Sequence, residues 1–275
     1  MSAQSPKIKI GIIGCGAIGS RIARSIRLDL NEYCILQGLY DIVPQKAERL
    51  ARELKTTNVV CVSQDDLVRR CAFIVEAVNS TKTATIIRQI LNAKRGVLVM
   101  SVGRILNAPN LFSLADKNRC HLLIPSGALS GLDAVKAAAQ VKIDRITLTT
   151  RKPPGGFAQS EYLTKKRISL DNIKNETVLY AGGVDNAVKY FPQNINVAAT
   201  LALASRAKAK IRIKIIASPK LKTNSHEVEI KGDFGKMVNR TENVVCPDNK
   251  KTSYLAVLSA IQTLNQHFKR IKIGT

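Results

Sequence analysis

A chain of 275 residues with 45% hydrophobic content can bury one large core or two ordinary ones, which excludes a disordered chain or a disulfide-held miniprotein. Its 43 Lys+Arg against 20 Asp+Glu give a formal charge of +23, which attracts anions of any size, from nucleic acid to small acids. Aromatic residues are only 4% and Trp is absent, so stacking platforms for single strands are scarce and nucleic acid is not an expected partner.

The chain begins with the polar "MSAQSPKIKIG", too weakly apolar for a signal segment. No later stretch approaches the roughly 20 apolar residues of a membrane span, so a cytoplasmic protein with no membrane partner is expected. Short apolar runs then alternate with amphipathic ones. "KIKIGIIG" is followed by helix-like 18–29, "ILQGLYD" by helix-like 43–54, and "NVVCV" by a short helix over 64–70. "AFIVEAV" is followed by helix-like 82–94, "GVLVMS" by helix-like 108–118, and "CHLLIPS" closes the series. Apolar runs separated by helices predict parallel strands joined by crossovers, a Rossmann-type doubly wound sheet, to about residue 125.

Past Pro125 the rhythm changes. A Gly-rich turn, "PSGALSGLD", opens a helix, "RITLTTR" reads as a strand, and "KPPGG" breaks into a charged segment over 157–175 that is expected to be mobile. Strands are predicted at "TVLYAG", 211–217, 224–232 and 235–245, with a hairpin at "GDFG" and helices over 183–190 and 194–207. Together these give a second, α+β domain with a mixed or antiparallel sheet. The run "RAKAKIRIK" places Arg206, Lys208, Lys210, Arg212 and Lys214 at alternate positions, the pattern of a solvated strand face. A final helix over 251–266 sets Leu255, Val257, Leu258, Ile261 and Leu264 along one packing face.

The strongest motif is "IGIIGCGAIGSRIARSI". Gly14, Gly16 and Gly19 stand in G-x-G-x-x-G register, with Ala17 and Ile18 in the variable positions, after a strand and before a helix. Gly14 permits a tight turn, Gly16 lets the backbone approach a pyrophosphate, Gly19 allows close packing, and the helix N-terminus offers N–H groups to the phosphates. Asp41, about 20 residues on, stands where an acid accepts ribose hydroxyls, which favours NAD over a 2′-phosphorylated dinucleotide. Lys46 on the next helix softens that preference.

Six cysteines lie far apart without metal-ligand spacing and read as reduced core thiols, so no metal is expected. Neither G-x-x-x-x-G-K-[ST] nor G-x-S-x-G occurs, which argues against phosphoryl transfer and a serine hydrolase. Of three histidines, His121 reads as a packed ring and His267 as an exposed or dipole-contacting one at a helix end. His226 differs. In "TNSHEVEIKG" it shares one strand face with Val228 and Ile230, while Glu227, Glu229 and Lys231 take the other. Arg151 and Lys152 in "LTTRKPP" stand where a strand enters a loop and are candidate ligands for a carboxylate, which a guanidinium or ammonium group can clamp.

The motifs "PSGALSGLDAVKAA", "LTTRKPP", "FPQNINVAATLALA", "NSHEVEIKGDFG" and "NKKTSYLAVLSA" occur in order. In them the chain resembles the L-aspartate dehydrogenase family over nearly its whole length. The resemblance implies NAD- or NADP-dependent oxidation of L-aspartate to iminoaspartate, or the reverse, feeding pyridine-nucleotide synthesis. It implies a homodimer that binds a dicarboxylic amino acid. It further implies that Ala128 and Asn196 fall on cofactor-binding positions and that His226 is the catalytic histidine; Asn194 is a separate candidate for a polar contact to the substrate. The last helix is expected to return to the first domain, giving a dinucleotide-binding domain of 1–124 with 249–275 and a catalytic and dimerisation domain of 125–248. An imidazole suits this chemistry, because hydride leaves an amine carbon only when the nitrogen is unprotonated. The rival readings are a dehydrogenase of another amino or hydroxy acid, and a non-catalytic nucleotide sensor that binds polyanions.

Overall fold

The computed structural model describes residues 6–78, 80–157, 160–191, 195–247 and 249–274. The chain divides into two compact units, one of Met1–Pro125 with Ala260–Lys272, the other of Ser126–Ser259 with Ile273–Thr275.

The first unit runs β1 (Ile8–Ile13), α1 (Ala17–Leu28), β2 (Cys34–Tyr40), α2 (Pro44–Glu53), α3 (Gln64–Arg70), β3 (Phe73–Glu76), α4 (Thr83–Asn92), β4 (Gly96–Val99), α5 (Pro109–Lys117) and β5 (Leu122–Leu123). The strands form one parallel sheet in the order β2-β1-β3-β4-β5. Its helices start where local chemistry starts them. Pro44 and Pro109 open α2 and α5 with a preset φ and no N–H to satisfy. Ser63 caps α3 by accepting the Asp66 N–H at 3.1 Å, and Asp65 and Asp66 at one end with Arg69 and Arg70 at the other oppose the helix dipole. The buried residues of α1 and α2, Ile22, Ala23 and Ile26, then Ala47, Leu50 and Ala51, repeat at helical spacing and turn to the sheet.

The run "NVVCV" does not form the expected strand. It makes only the bridge Leu39↔Val60, because Asn58 at φ 59° turns the chain into the run and Val62, 91% exposed, has already left the sheet. At the other end of the unit, the His267 ring stacks 4.6 Å from His121 and 5.3 Å from Phe73. His267 is therefore a packed ring rather than an exposed one, and burial holds it down to about 4.

All six cysteines are free. Five are buried and Cys120 is partly exposed. Burial pushes Cys15 and Cys71 up to about 12 and Cys34 to about 11, far from the thiolate that reacts. A thiol reagent at pH 8 is expected to label Cys120 first and the others only as the chain opens. Rapid labelling of several thiols in the native protein would contradict this.

The second unit runs α6 (Leu132–Ala138), β6 (Ile143–Lys152), α7 (Glu161–Lys165), β7 (Thr177–Gly182), α8 (Val184–Tyr190), α9 (Ile195–Ser205), β8 (Ile211–Ala217), β9 (Asn224–Gly232), β10 (Gly235–Asn243), β11 (Val245–Cys246), β12 (Asn249–Ser253) and α10 (Tyr254–Phe268), whose last turns belong to the first unit. Its sheet is mixed, in the order β10-β9-β6-β8-β7, with β6 and β8 parallel and the other pairs antiparallel. The β9–β10 hairpin turns at Asp233 and Phe234, where Gly235 takes φ +110°. Leu148, Thr150, Ile213 and Ile215 face Ala187 of α8, Phe191 just after it and Ala198 of α9 around a small cavity, so these helices cover that face of the sheet.

Three expectations change here. Lys208–Lys210 form a single 3-10 turn, so only Arg212 and Lys214 of the basic run project from the strand. The segment over 157–175 holds α7, whose Tyr162 packs with Tyr180, Tyr190 and Phe191. The last helix begins only at Tyr254, after β12, and Leu258 is 41% exposed rather than packed. Among the described residues no helix is long and apolar enough to cross a membrane, and no cluster of His, Cys, Asp and Glu could hold a metal ion.

Candidate functional site

The glycine loop joins β1 to α1. Gly14 adopts φ +97°, and a Cβ there would lie 2.5 Å from the Ala77 carbonyl, so the position requires glycine on both counts. A Cβ on Gly19 would collide with the Gly14 carbonyl oxygen, whereas one on Gly16 would meet nothing within 4 Å. Two glycines thus shape the loop and the third opens it. Gly16 begins α1 with no side-chain cap, and the first turn, with Ala17 and Ile18, carries no acid. Its leading N–H groups are left for an anion, and the open side at Gly16 lets that anion come close. These residues fit the pyrophosphate of a dinucleotide.

Asp41, just past β2, is 9% exposed. Its Oδ2 accepts the Cys15 N–H at 2.8 Å and its Oδ1 accepts the Val43 N–H at 2.9 Å. The carboxylate therefore braces the glycine loop against the end of β2, a role that its spacing from the motif did not reveal. Each oxygen keeps a second lone pair, so bracing and acceptance from a ribose are compatible.

In the second unit β9 alternates as its sequence predicts. His226, Val228 and Ile230 are buried, and Glu227, Glu229 and Lys231 are half-buried on the other side. The His226 ring is 4% exposed, and its Nδ1 lies 3.0 Å from the Thr150 Oγ1 on the neighbouring strand. Burial, reinforced by the Lys152 charge, pulls the imidazole down to about 3, so it is neutral at pH 7. The pairing of Thr150 with His226 puts the two on one face, and the two-residue repeat of β6 adds Lys152 to it. Burial lowers the Lys152 ammonium to about 8.

Arg151 does not join them. It pairs with Ser225 and lies on the opposite face, where Nε approaches Glu176 and Nη1 approaches Glu227, both at 3.7 Å. The alternation that buries Thr150 and Lys152 turns Arg151 away, so of the two expected clamps the cation on the His226 face is Lys152. Thr150 was missed. Its partner lies 76 positions away, and only strand register brings them together.

The Ala128 carbonyl accepts from Thr241 Oγ1 and Asn243 Nδ2, both at 3.2 Å, and the Gly127 N–H donates to Ser259 Oγ at 3.0 Å. Thr241 is the cross-strand neighbour of His226, so the "PSGALSG" loop is fastened beside the histidine. Asn196 is exposed in the first turn of α9. Asn194 lies outside the described residues.

A parallel sheet with this loop, and a second sheet with a buried neutral imidazole, define a dinucleotide-dependent oxidoreductase that binds NAD or NADP. Comparison with known proteins narrows the class. Residues 14–125 match the family model "Homoserine dehydrogenase, NAD binding domain" and residues 133–267 match "Aspartate dehydrogenase, C-terminal". The chain is 40% identical over 271 residues to the L-aspartate dehydrogenase of Methanosarcina barkeri, covering 98% of this chain and 100% of that one. It is likewise 40% identical over 272 residues to that of Methanococcus maripaludis, with the same coverage. The chain belongs to the L-aspartate dehydrogenase family. In fold it is similar to the crystal structure of the Thermotoga maritima aspartate dehydrogenase, with a TM-score of 0.73 at 23% identity, covering 98% of this chain and 100% of that one.

Proposed function

We propose that this protein is an NAD(P)-dependent L-aspartate dehydrogenase, forming iminoaspartate for pyridine-nucleotide synthesis, with His226 as its acid–base group. The observation that carries the residue assignment is the neutral imidazole held by Thr150 on the face that also bears Lys152. As base, His226 keeps its proton on Nδ1, donated to Thr150 Oγ1, and presents the lone pair of Nε2 to the substrate amine or to water. Lys152 meets a substrate carboxylate. That carboxylate in turn raises the imidazole from its depressed value toward neutrality, so the base strengthens when the substrate arrives. In the first unit Gly14, Gly16, Ala17, Ile18 and Gly19 hold the pyrophosphate and Asp41 the ribose, with Ala128 and Asn196 as further cofactor contacts by family resemblance. A dinucleotide held by these residues would supply a nicotinamide ring as acceptor for the hydride on the α-carbon. The family resemblance also supports a cytoplasmic homodimer, with the first unit binding the dinucleotide and the second serving catalysis and dimerisation.

The test is reduction of NAD and of NADP with L-aspartate, L-glutamate, L-alanine, L-homoserine and L-malate in parallel. Turnover with L-aspartate above the others is expected, and none with L-aspartate would end the substrate assignment. Lys152→Met is expected to raise KM for L-aspartate about 10- to 100-fold, the worth of a buried charge-assisted hydrogen bond, with a smaller effect on kcat. An unchanged KM would remove Lys152 from the site. Sedimentation of the native protein reads the oligomeric state.

A further inference from the structure

Glu76 ends β3 with its side chain fully buried, 0% exposed, in the apolar sheet of the first unit. A carboxyl group there is costly, and an apolar side chain of similar size would pack without that cost. Its partners are the two loops that leave the carboxyl ends of β3 and β4. Oε1 accepts the Val78 N–H at 3.1 Å and lies 2.8 Å from Ser101 Oγ, and Oε2 accepts the Ser101 N–H at 3.0 Å. The Ser101 hydroxyl also contacts the Val78 carbonyl, so one side chain joins both loops to each other. That hydroxyl has a single proton for two acceptors. Satisfying both requires a proton on Glu76, the direction in which its burial also pushes it.

The joined loops continue the glycine loop. The Ala77 N–H donates to the Ile13 carbonyl at 2.9 Å, and the Ala77 carbonyl is the group that forbids a side chain on Gly14. Asp41 and β2 stand on one side of that loop, and β3 and β4 on the other. A dinucleotide laid across the carboxyl edge with its adenosine toward Asp41 must extend its other half over the ends of β3 and β4. We propose that Glu76 is a positioning residue of the cofactor site, whose carboxyl group sets the two loops on which the nicotinamide riboside half rests.

The test separates the two halves of the ligand. Glu76→Gln keeps the size of the side chain but leaves one oxygen to serve two backbone N–H groups, those of Val78 and Ser101. One loop therefore loses its tie. NADH affinity is measured by fluorescence and the affinity for ADP, which lacks the whole nicotinamide riboside, by calorimetry, in the native chain and the variant. NADH is expected to bind about tenfold more weakly, the worth of one unsatisfied buried donor, while ADP stays within about twofold. Equal weakening of both ligands, or no change in either, would overturn the proposal. If Glu76→Gln does not fold, Ser101→Ala keeps the backbone N–H and removes only the hydroxyl. It is then expected to show the same preference at about threefold, and the same two contrary results would overturn it.

Discussion

Replacing His226 with alanine is expected to lower kcat for L-aspartate oxidation by about 10²- to 10⁴-fold, the range for loss of a positioned acid–base group. NADH affinity should be unchanged, because the glycine loop and Asp41 belong to the other unit and none of their hydrogen bonds involves β9. An unchanged rate would take the role from His226. A fall in both rate and NADH binding would point to damaged folding instead. A second signature comes from protons. In the free protein the imidazole sits near 3, against 6.5 when exposed. Between those values the unfolded chain binds a proton that the folded chain refuses, so this residue's contribution to stability is present above about pH 6.5 and is lost as the pH falls toward 3. His226→Ala removes that dependence, and its stability should change less with pH across the same window. Kinetically, substrate carboxylates beside the ring raise it only in the complex. The acid limb of kcat should therefore lie at higher pH than the limb that His226 gives to kcat/KM.

The parallel sheet was legible because its signals are local. Each strand is a short apolar run, each crossover a helix with its own start, and Gly14, Gly16 and Gly19 announce a strand-to-helix turn within a few residues. The face of His226 could be read from β9 alone, since alternation needs no partner. What could not be read was the identity of the neighbours. Arg151 and Lys152 are equivalent as sequence, and only the register of β6 against β9 decides that Thr150 and Lys152 share the histidine's face while Arg151 meets Glu176 and Glu227 behind it. Asp41 could be read from its spacing as a candidate ribose acceptor but not as a brace, because its bond to the Cys15 N–H spans 26 positions. Glu76 gave no signal, since a single acid in "AFIVEAV" looks like a strand end until Ser101 is placed against it. "NVVCV" misled for the opposite reason. Its composition is that of a strand, and a left-handed Asn58 leaves it with one bridge.

The second large effect is expected from two alanine substitutions in one loop that fail in different ways. Gly16 has ordinary extended angles, φ −75° and ψ −171°, and open space where a methyl would go. Gly16→Ala should therefore fold with stability within about 1 kcal/mol of the native chain. The methyl then occupies the approach that the pyrophosphate needs, and NADH affinity should fall by about 100-fold through the clash and the lost N–H contacts. Gly19→Ala places its methyl against the Gly14 carbonyl, which is backbone of the same loop and cannot rotate aside. That change should cost about 1–3 kcal/mol of stability even without ligand, and binding should be lost as well, because the loop must move to accommodate it. Thermal melting with and without NADH separates the two. A ligand that binds only the folded chain raises Tm, so Gly16→Ala should keep the native Tm without ligand and lose the upward shift on adding NADH, whereas Gly19→Ala should lose both. A Gly16→Ala protein that NADH stabilises as it does the native chain would mean that the dinucleotide does not cross the loop at Gly16, and the assignment of Ala17 and Ile18 to the phosphates would go with it.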